Sequence, residues 1–339
     1  MQSRTFFAAL AVATAAPLIA MPLYAMAPAL APAPLTAIVV AAWVLTAYGH
    51  VLSTLWFGAD PDYAPVVRAN RWRMIASLAI IPAAAGGVAL ASPLASAWAY
   101  AAFLVWQAHH YNRQNYGILS FAAARDGTGP LPREVGLILN LTTVAGALGM
   151  VTLPTIYPRG LPLLAFQTGP AVLVGRCVAI ACFIAAAAVI ARILWREKRL
   201  RQGPTVLVFL ALSGVFFLPS LLPGAQQAAF WPFAMAHGAQ YLVIMGVTSK
   251  RARHAWPRIA GVSAVAIALG AAAFQLPRLV LAQAYMGVVM WHFLADARLW
   301  RLRDPAVRMI VRQRFDFLFA PRPLPGPSEA RAGDAAVRA

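Results

Sequence analysis

The sequence predicts an all-α protein, a polytopic helical bundle that crosses a membrane about ten times, with both termini in the cytoplasm. Hydrophobic residues make up 61% of the 339 residues and charged residues only 11%, against about a quarter in a soluble domain. Long stretches poor in charge also alternate with connections in which arginine is concentrated. A chain with so little charge cannot cover itself with a water-compatible surface. This excludes a soluble enzyme, a disordered regulator and a small disulfide-bonded secreted domain.

Ten apolar stretches are the predicted spans, because each can cross about 30 Å of hydrocarbon as a helix rising about 1.5 Å per residue. They cover residues 6–26, 35–57, 74–92, 95–121, 136–157, 177–195, 204–223, 226–247, 258–276 and 279–300. The first stretch follows Arg4 and ends near Met26, so a cleaved signal peptide is an alternative interpretation. The run is long for a signal peptide, which favours a retained helix.

The distribution of basic residues predicts the orientation. Arginine-rich connections lie on one side of the predicted membrane, at 58–73, 122–135, 196–203 and 248–258 and in the tail after residue 300. The opposite connections carry Arg159, Arg176 and Arg278. The positive-inside rule therefore places both termini in the cytoplasm and the protein in the cytoplasmic (inner) membrane.

Residues 1–304 form one predicted transmembrane domain, and residues 305–339 form a cytoplasmic extension. The extension begins as a basic amphipathic segment, expected on an anionic membrane surface, and continues as a disordered tail rich in Pro, Gly and Ala. The net charge of +18 comes from residues that flank apolar runs. This placement indicates a lipid bilayer as the partner and argues against nucleic acid.

Five of the six histidines lie inside apolar stretches, where polar groups are costly and therefore point to function. They are His50, His109, His110, His237 and His292. They occupy the second, fourth, eighth and tenth spans, all of which run from outside to inside, and they lie at similar depth in the cytoplasmic half. We therefore expect them to converge on one metal site. His109 and His110 point about 100° apart on a helix, so one of them is the expected ligand. A buried histidine can also simply hydrogen-bond a neighbouring helix.

Polar residues three or four positions from the histidines share their helix faces and complete the predicted site. Asp296 follows His292 by four residues, so it is expected either to bind the second ring nitrogen of that histidine or to bind the metal itself. Arg113 is expected to hold an anionic group, and Tyr241, or alternatively Tyr111, to supply a proton. The amides expected to contact the cofactor are Asn112, Gln114 and Gln240.

Four imidazoles with at most one carboxylate favour iron, copper or zinc over magnesium or calcium. A centre between transmembrane helices favours a lipophilic substrate that enters from the bilayer. The sequence therefore predicts a membrane metalloenzyme, an iron oxygenase or oxidoreductase acting on a lipid-like, isoprenoid or carotenoid-like molecule. A protein that donates electrons is a further expected partner.

The placement of His50, His110, His237 and His292 on separate apolar helices is similar in layout to that of bacterial integral-membrane carotene dioxygenases. In that family, histidines from several transmembrane helices hold one iron, so the resemblance implies a shared iron centre. It is a resemblance of layout, and carotenoid cleavage is not carried over.

Two other functions fit parts of the pattern. Histidines on two helices could be the axial ligands of a haem in a membrane electron-transfer protein, although the motif for covalent attachment, CxxCH, is absent from the sequence. Histidine and arginine could instead line the cavity of a transporter. An acyl- or prenyltransferase is a weaker alternative, because the sequence lacks a DDxxD-type motif.

Overall fold

The structure is a computed structural model, and it describes residues 2–26, 33–158, 160–222, 229–249 and 278–319, with single positions at 257, 260, 261 and 264. Within these residues the chain is helical and contains no strand. The helices of ten or more residues are Ser3–Met26 (α1), Ala33–Trp43 (α2), Ala64–Ala91 (α3), Pro93–Asp126 (α4), Arg133–Val151 (α5), Gly169–Arg196 (α6), Pro204–Val215 (α7), Trp231–Ser249 (α8), Arg278–Leu299 (α9) and Pro305–Arg314 (α10). Shorter helical segments are Pro154–Ile156, Ala165–Gln167, Lys198–Arg201, Leu218–Leu221 and Asp316–Phe319.

The helix that begins as α2 changes its winding before it ends. A π-helix follows at Val44–Gly49, then an α-helical turn at His50–Ser53 and a 3₁₀ segment at Thr54–Ala59. A π-turn inside a helix is rare and is often found at functional sites. Here it immediately precedes a predicted metal ligand.

Among the described residues, six helices are long and apolar enough to cross a membrane. They are Ser3–Ala25, Leu35–Phe57, Ala64–Ala91, Arg133–Val151, Gly169–Arg196 and Pro204–Leu221. This part of the chain is all-helical, as predicted, and its apolar helices are compatible with a multi-pass membrane protein, whereas the count of ten spans and the orientation stay predictions. Helices α4, α8 and α9 lie at three further predicted spans, and the predicted span 258–276 lies outside the described ranges apart from single positions.

The bounds of α4 follow from its end groups. The Ser92 hydroxyl accepts a hydrogen bond from the Ala95 N–H at 3.2 Å, and Pro93 occupies the first helical position. At the other end, Gly127 has φ 67°, the left-handed conformation that glycine adopts at helix ends. The helix therefore runs beyond the predicted span 95–121 at both ends.

Helices pack in pairs that bring distant parts of the chain together. The contacting pairs are α3 with α9, α5 with α6 and α1 with α8, while α4 contacts both α5 and α7. The π-helical segment packs against α8. Helix α9 also contacts α4 and the α2 extension, so the histidines of the α2 extension, α4, α8 and α9 lie around one point.

The predicted amphipathic segment after residue 304 is a helix in the structure, and its apolar face contacts the bundle. Val307, Val311 and Phe315 are buried in a cluster with α1 and α4 residues, while Arg308 and Arg312 are exposed. This apolar face is therefore covered by protein and is not free to enter a membrane surface. The predicted disordered tail, residues 320–339, lies outside the described part.

Arg314 attaches α10 to the bundle. Its Nη1 donates to the Thr248 carbonyl oxygen at 2.7 Å, and its Nη2 donates to both carboxylate oxygens of Asp60 at 3.3 Å and also to Asp62. Arg314 and Asp60 are 4% and 0% exposed. A buried charge pair thus joins α10 to the connection between α2 and α3.

Candidate metal centre

Four of the five predicted histidines meet inside the bundle. The His50 ring centroid lies 5.0 Å from that of His237 and 5.0 Å from that of His292. The His110 ring centroid lies 4.9 Å from that of His237 and 5.2 Å from that of His292. Each ring therefore has two others edge-on beside it, and the four close into a square.

Several ring nitrogens of this histidine cluster have no hydrogen-bond partner. They are His110 Nε2, both nitrogens of His237 and His292 Nε2. The side chains of His237 and His292 are 0% exposed. A buried polar atom without a partner is costly, and most such atoms in folded proteins are paired. Convergent, unpaired imidazole nitrogens are what a bound cation would satisfy.

The possible ligand atoms fall into two groups that share His292. One group is His50, His237 and His292, and the other is His110, His292 and Asp296. Within each group the ligand atoms lie within 4.8 Å of one another. Two nitrogens on one ion are at most about 4.2 Å apart, since metal–nitrogen bonds are about 2.1 Å long. Small side-chain adjustments therefore suffice for metal binding.

The π-helical segment and Gly238 orient His50. Its Nδ1 donates a short hydrogen bond to the Thr46 carbonyl oxygen, which assigns the proton to Nδ1 and the lone pair to Nε2. Gly238 follows His237 on α8 and lies against this carbonyl. A Cβ added at Gly238 would be 1.9 Å from the Thr46 oxygen and 3.1 Å from His50 Nδ1. The absence of a side chain at this glycine is what lets the two histidine-bearing segments approach.

A hydrogen-bond network surrounds His292 and Asp296. Thr54 Oγ1 is 2.6 Å from His292 Nδ1 and 3.3 Å from the Tyr241 hydroxyl. The Tyr241 hydroxyl donates to Asp296 Oδ1 at 2.9 Å. Asp296 Oδ2 is 3.6 Å from His292 Nε2 and 4.0 Å from His110 Nε2. Asp296 is thus held by Tyr241 through one oxygen and turned towards the imidazoles with the other.

Two predicted site residues lie away from the cluster. His109 is exposed on α4 and belongs to neither group of possible ligands, while its neighbour His110 faces inward. Arg113 is also exposed, with its guanidinium 6.0 Å from the Tyr116 ring centroid. Arg113 follows His109 by four residues and shares its helix face, so both point away from the site.

The three amides that are predicted to contact a cofactor instead form hydrogen bonds with residues of other helices. Gln114 Nε2 donates to the His237 carbonyl oxygen at 3.0 Å and to Gln240 Oε1 at 2.8 Å. Gln240 Nε2 donates to Thr14 Oγ1 at 2.8 Å, and Asn112 Nδ2 donates to Asn140 Oδ1 at 3.2 Å. Through these bonds Gln114 holds the backbone that carries His237.

Sequence reasoning missed Phe293 and named Tyr111 only as an alternative proton donor. Phe293 stacks on His110 with ring centroids 4.1 Å apart. The Tyr111 and His237 ring centroids are also 4.1 Å apart, and their ring planes make an angle of 30°. Thr54 lies four residues after His50, and this spacing predicts that it shares the helix face of His50. Thr46 contacts His50 through its backbone oxygen. Tyr111 and Phe293 each directly follow a histidine. Adjacent residues point to different sides of a helix, so this position does not predict a contact with the histidine rings.

Comparisons of the chain with protein-family models, with curated proteins and with solved structures give no match. Functional inference therefore depends on the site itself.

Proposed function

We propose that the protein is an integral membrane metalloenzyme, in which the histidine cluster holds a non-haem iron for oxidation or oxygenation of a lipophilic substrate. The observation that carries the proposal is the square of imidazoles from four helix segments with unpaired, buried nitrogens. Neutral histidines suit a divalent transition metal.

The second ligand group favours iron within that class. His110, His292 and Asp296 are two histidines and one carboxylate, the ligand set of many non-haem iron oxygenases. When bound, such an iron would supply redox chemistry at a position that the bundle shields from water. Asp296 would offset part of the metal charge, and copper and zinc are the competing metals.

The surrounding residues fit proton handling and an apolar substrate. The Tyr241 hydroxyl donates a hydrogen bond to Asp296. Tyr241 can therefore give a proton to a group bound at the cluster and take one back from the Asp296 carboxyl group. The α2 extension and α4 carry exposed apolar side chains, among them Leu45 and Val105, so a substrate dissolved in lipid would reach these helices directly. Insertion of one oxygen atom of dioxygen into the substrate, with the other atom leaving as water, would need two electrons and two protons. We propose that the electrons come from a donor protein on the cytoplasmic side.

A haem centre is less favoured by the ring arrangement. A haem needs a flat space as wide as a porphyrin between its axial ligands, whereas each imidazole here has two others within about 5 Å. An absorption spectrum of the purified protein checks this, because a Soret band would favour haem over a bare metal ion.

Metal content per chain tests the proposal. We would purify the protein gently in detergent and measure iron, copper and zinc by mass spectrometry, for the wild type and for His110→Ala, His292→Ala and His109→Ala. We expect near-stoichiometric iron in the wild type and in His109→Ala, which changes the exposed neighbour on the same helix. Iron should be lost from the other two variants.

Absence of metal from the wild type, even after anaerobic reconstitution with ferrous iron, would overturn the metalloenzyme proposal. Stoichiometric zinc or copper with the same variant pattern would keep the metal centre and reject iron. Equal loss in His109→Ala would contradict the assignment of His110 as the ligand.

A further inference from the structure

A second polar group lies beside the histidine cluster and takes no part in the metal-ligand groups described above. Gln107 and Tyr111 lie one turn apart on α4 and are 6% and 2% exposed. Gln107 Nε2 donates to the Tyr111 hydroxyl oxygen at 2.5 Å. Gln107 Oε1 has no hydrogen-bond partner. A 180° rotation of the Gln107 amide exchanges Oε1 and Nε2, so one of these two atoms has no hydrogen-bond partner in either orientation.

The hydroxyl that Gln107 contacts belongs to a tyrosine that packs among other rings. The Tyr111 ring lies 4.1 Å from His237, and its other aromatic neighbours are Phe216, Phe217 and Phe233, at 6.3, 6.4 and 6.2 Å between centroids. Small-molecule sites are commonly built in this way, with an apolar aromatic lining and a few polar groups that fix the ligand. Gln107 and Tyr111 are the polar groups of such a lining.

His237 adds a third polar atom on the same side. Both of its ring nitrogens are buried and unpaired. A neutral imidazole that uses one nitrogen for a metal keeps a proton on the other, which is then a free donor. The amide, the phenol and this imidazole together offer hydrogen-bond donors and acceptors without a formal charge.

The neutral character of Gln107 and Tyr111 selects the ligand. Arg113 is exposed on another face of α4. An ionised carboxylate or phosphate placed beside Gln107 would exchange its hydration for an amide and a phenol, two uncharged partners, which is costly. A hydroxyl or carbonyl group would be satisfied by neutral donors and acceptors.

We infer that Gln107 and Tyr111 form a subsite for the hydroxyl or carbonyl oxygen of an otherwise apolar, uncharged lipid. The aromatic side chains around Tyr111 contact the hydrocarbon part next to the oxygen. That the bound lipid is a substrate rests on the proposed function, whereas the binding itself does not.

Competitive binding with a matched set of probes tests the subsite. The protein in phosphatidylcholine nanodiscs would bind tritiated geranylgeraniol, competed by unlabelled geranylgeraniol, by geranylgeranic acid and by the corresponding hydrocarbon without oxygen. We expect the alcohol to compete best, because it alone combines a neutral polar group with the apolar chain. Gln107→Leu and Tyr111→Phe should each weaken binding about five- to tenfold, the effect of losing one hydrogen bond.

Tyr116→Phe is the matched control, because it removes the same hydroxyl from an exposed tyrosine on the same helix, and it should bind as the wild type does. Tyr111→Phe keeps the ring that packs on His237, so it reports on the hydroxyl even if Gln107→Leu fails to fold. Equal competition by the hydrocarbon, stronger binding of the acid, or unchanged affinity in Tyr111→Phe would overturn the subsite.

Metal content measured on the same samples separates the two proposals. Wild type that binds iron but does not distinguish the alcohol from the hydrocarbon refutes the subsite and leaves the metal centre standing. Wild type without metal that still binds the alcohol through Tyr111 supports the subsite and refutes the metalloenzyme.

Discussion

At the scale of single residues, the histidines of the cluster are oriented by the Thr46 carbonyl oxygen and by the Thr54 hydroxyl. His50, His110, His237 and His292 stand out because imidazoles are rare among apolar residues in a membrane helix. Arg113 is predicted at the site because it lies three residues after His110 and four residues after His109. In the structure it shares the helix face of His109, and the side chains of His109 and Arg113 are both exposed. The Thr46 carbonyl could not be predicted, because a backbone oxygen carries no sequence signal.

The Thr54 hydroxyl should control how tightly the centre holds its metal. Thr54→Val keeps the side-chain shape but removes the group 2.6 Å from His292 Nδ1. Groups that orient a metal-bound histidine typically change metal affinity about 10- to 100-fold. We expect a loss in that range when iron is titrated off with a chelator, and near wild-type affinity in Thr54→Ser. Equal affinity in Thr54→Val and the wild type would contradict this role.

At the scale of helices, the length of an apolar stretch predicts where a helix lies, but it does not predict where the winding of that helix changes. The long helix α4 appears where the stretch 95–121 predicts one, lengthened by the cap at Ser92 and the stop at Gly127. The π-turn at Val44–Gly49 was not predicted. Its residues have no helix-breaking signature, and its winding accompanies a close approach to α8 that depends on a distant part of the chain.

Gly238 should be essential for that approach. Gly238→Ala places a Cβ 1.9 Å from the Thr46 oxygen, so the π-helical segment or α8 must move. Overpacking of this kind costs about 1–3 kcal/mol. We expect a lower thermal unfolding temperature in detergent and reduced iron content. Gly246→Ala is the control on the same helix, because an added Cβ there has no heavy atom within 4 Å. The prediction is wrong if the two variants behave alike.

At the scale of the whole molecule, the sequence predicts a multi-pass helical bundle and the convergence of the histidines, because equal depth on helices of one direction allows them to meet. It does not predict which helices are neighbours. The pairing of α3 with α9 and of α1 with α8 joins segments far apart in the sequence. The sequence predicts that the apolar face of α10 contacts a membrane surface, whereas in the structure this face contacts α1 and α4. Amphipathicity alone does not distinguish a protein surface from a lipid surface.

Arg314 should stabilise the bundle through its buried pair with Asp60. Arg314→Met leaves the Asp60 carboxylate buried without this counter-charge, and breaking such a pair costs about 3–5 kcal/mol. Arg312→Met changes an exposed arginine of the same helix and should leave stability nearly unchanged. Thermal unfolding of the two variants in the same detergent checks the difference. Similar unfolding temperatures would show that the buried pair contributes little.

The predicted orientation can be measured with single cysteines. In a background of Cys177→Ser and Cys182→Ser, Leu163→Cys should react with an impermeant maleimide in right-side-out vesicles, and Gln202→Cys in inside-out vesicles. Both native side chains are exposed and lie on connections predicted to face opposite sides. The reverse pattern would invert the topology, and labelling of both from one side would contradict the alternation of spans.

The spread of the histidine cluster along the chain also governs how the protein is made. Its first member, His50, follows the π-turn, and its last member, His292, lies on α9 together with Asp296. During synthesis, the ribosome must release the chain through α9 before the last imidazole can join the others. Metal loading would then follow insertion, and nascent chains truncated before α9 would leave the translocon without a complete set of ligands. Iron incorporation would thereby report that biogenesis has finished.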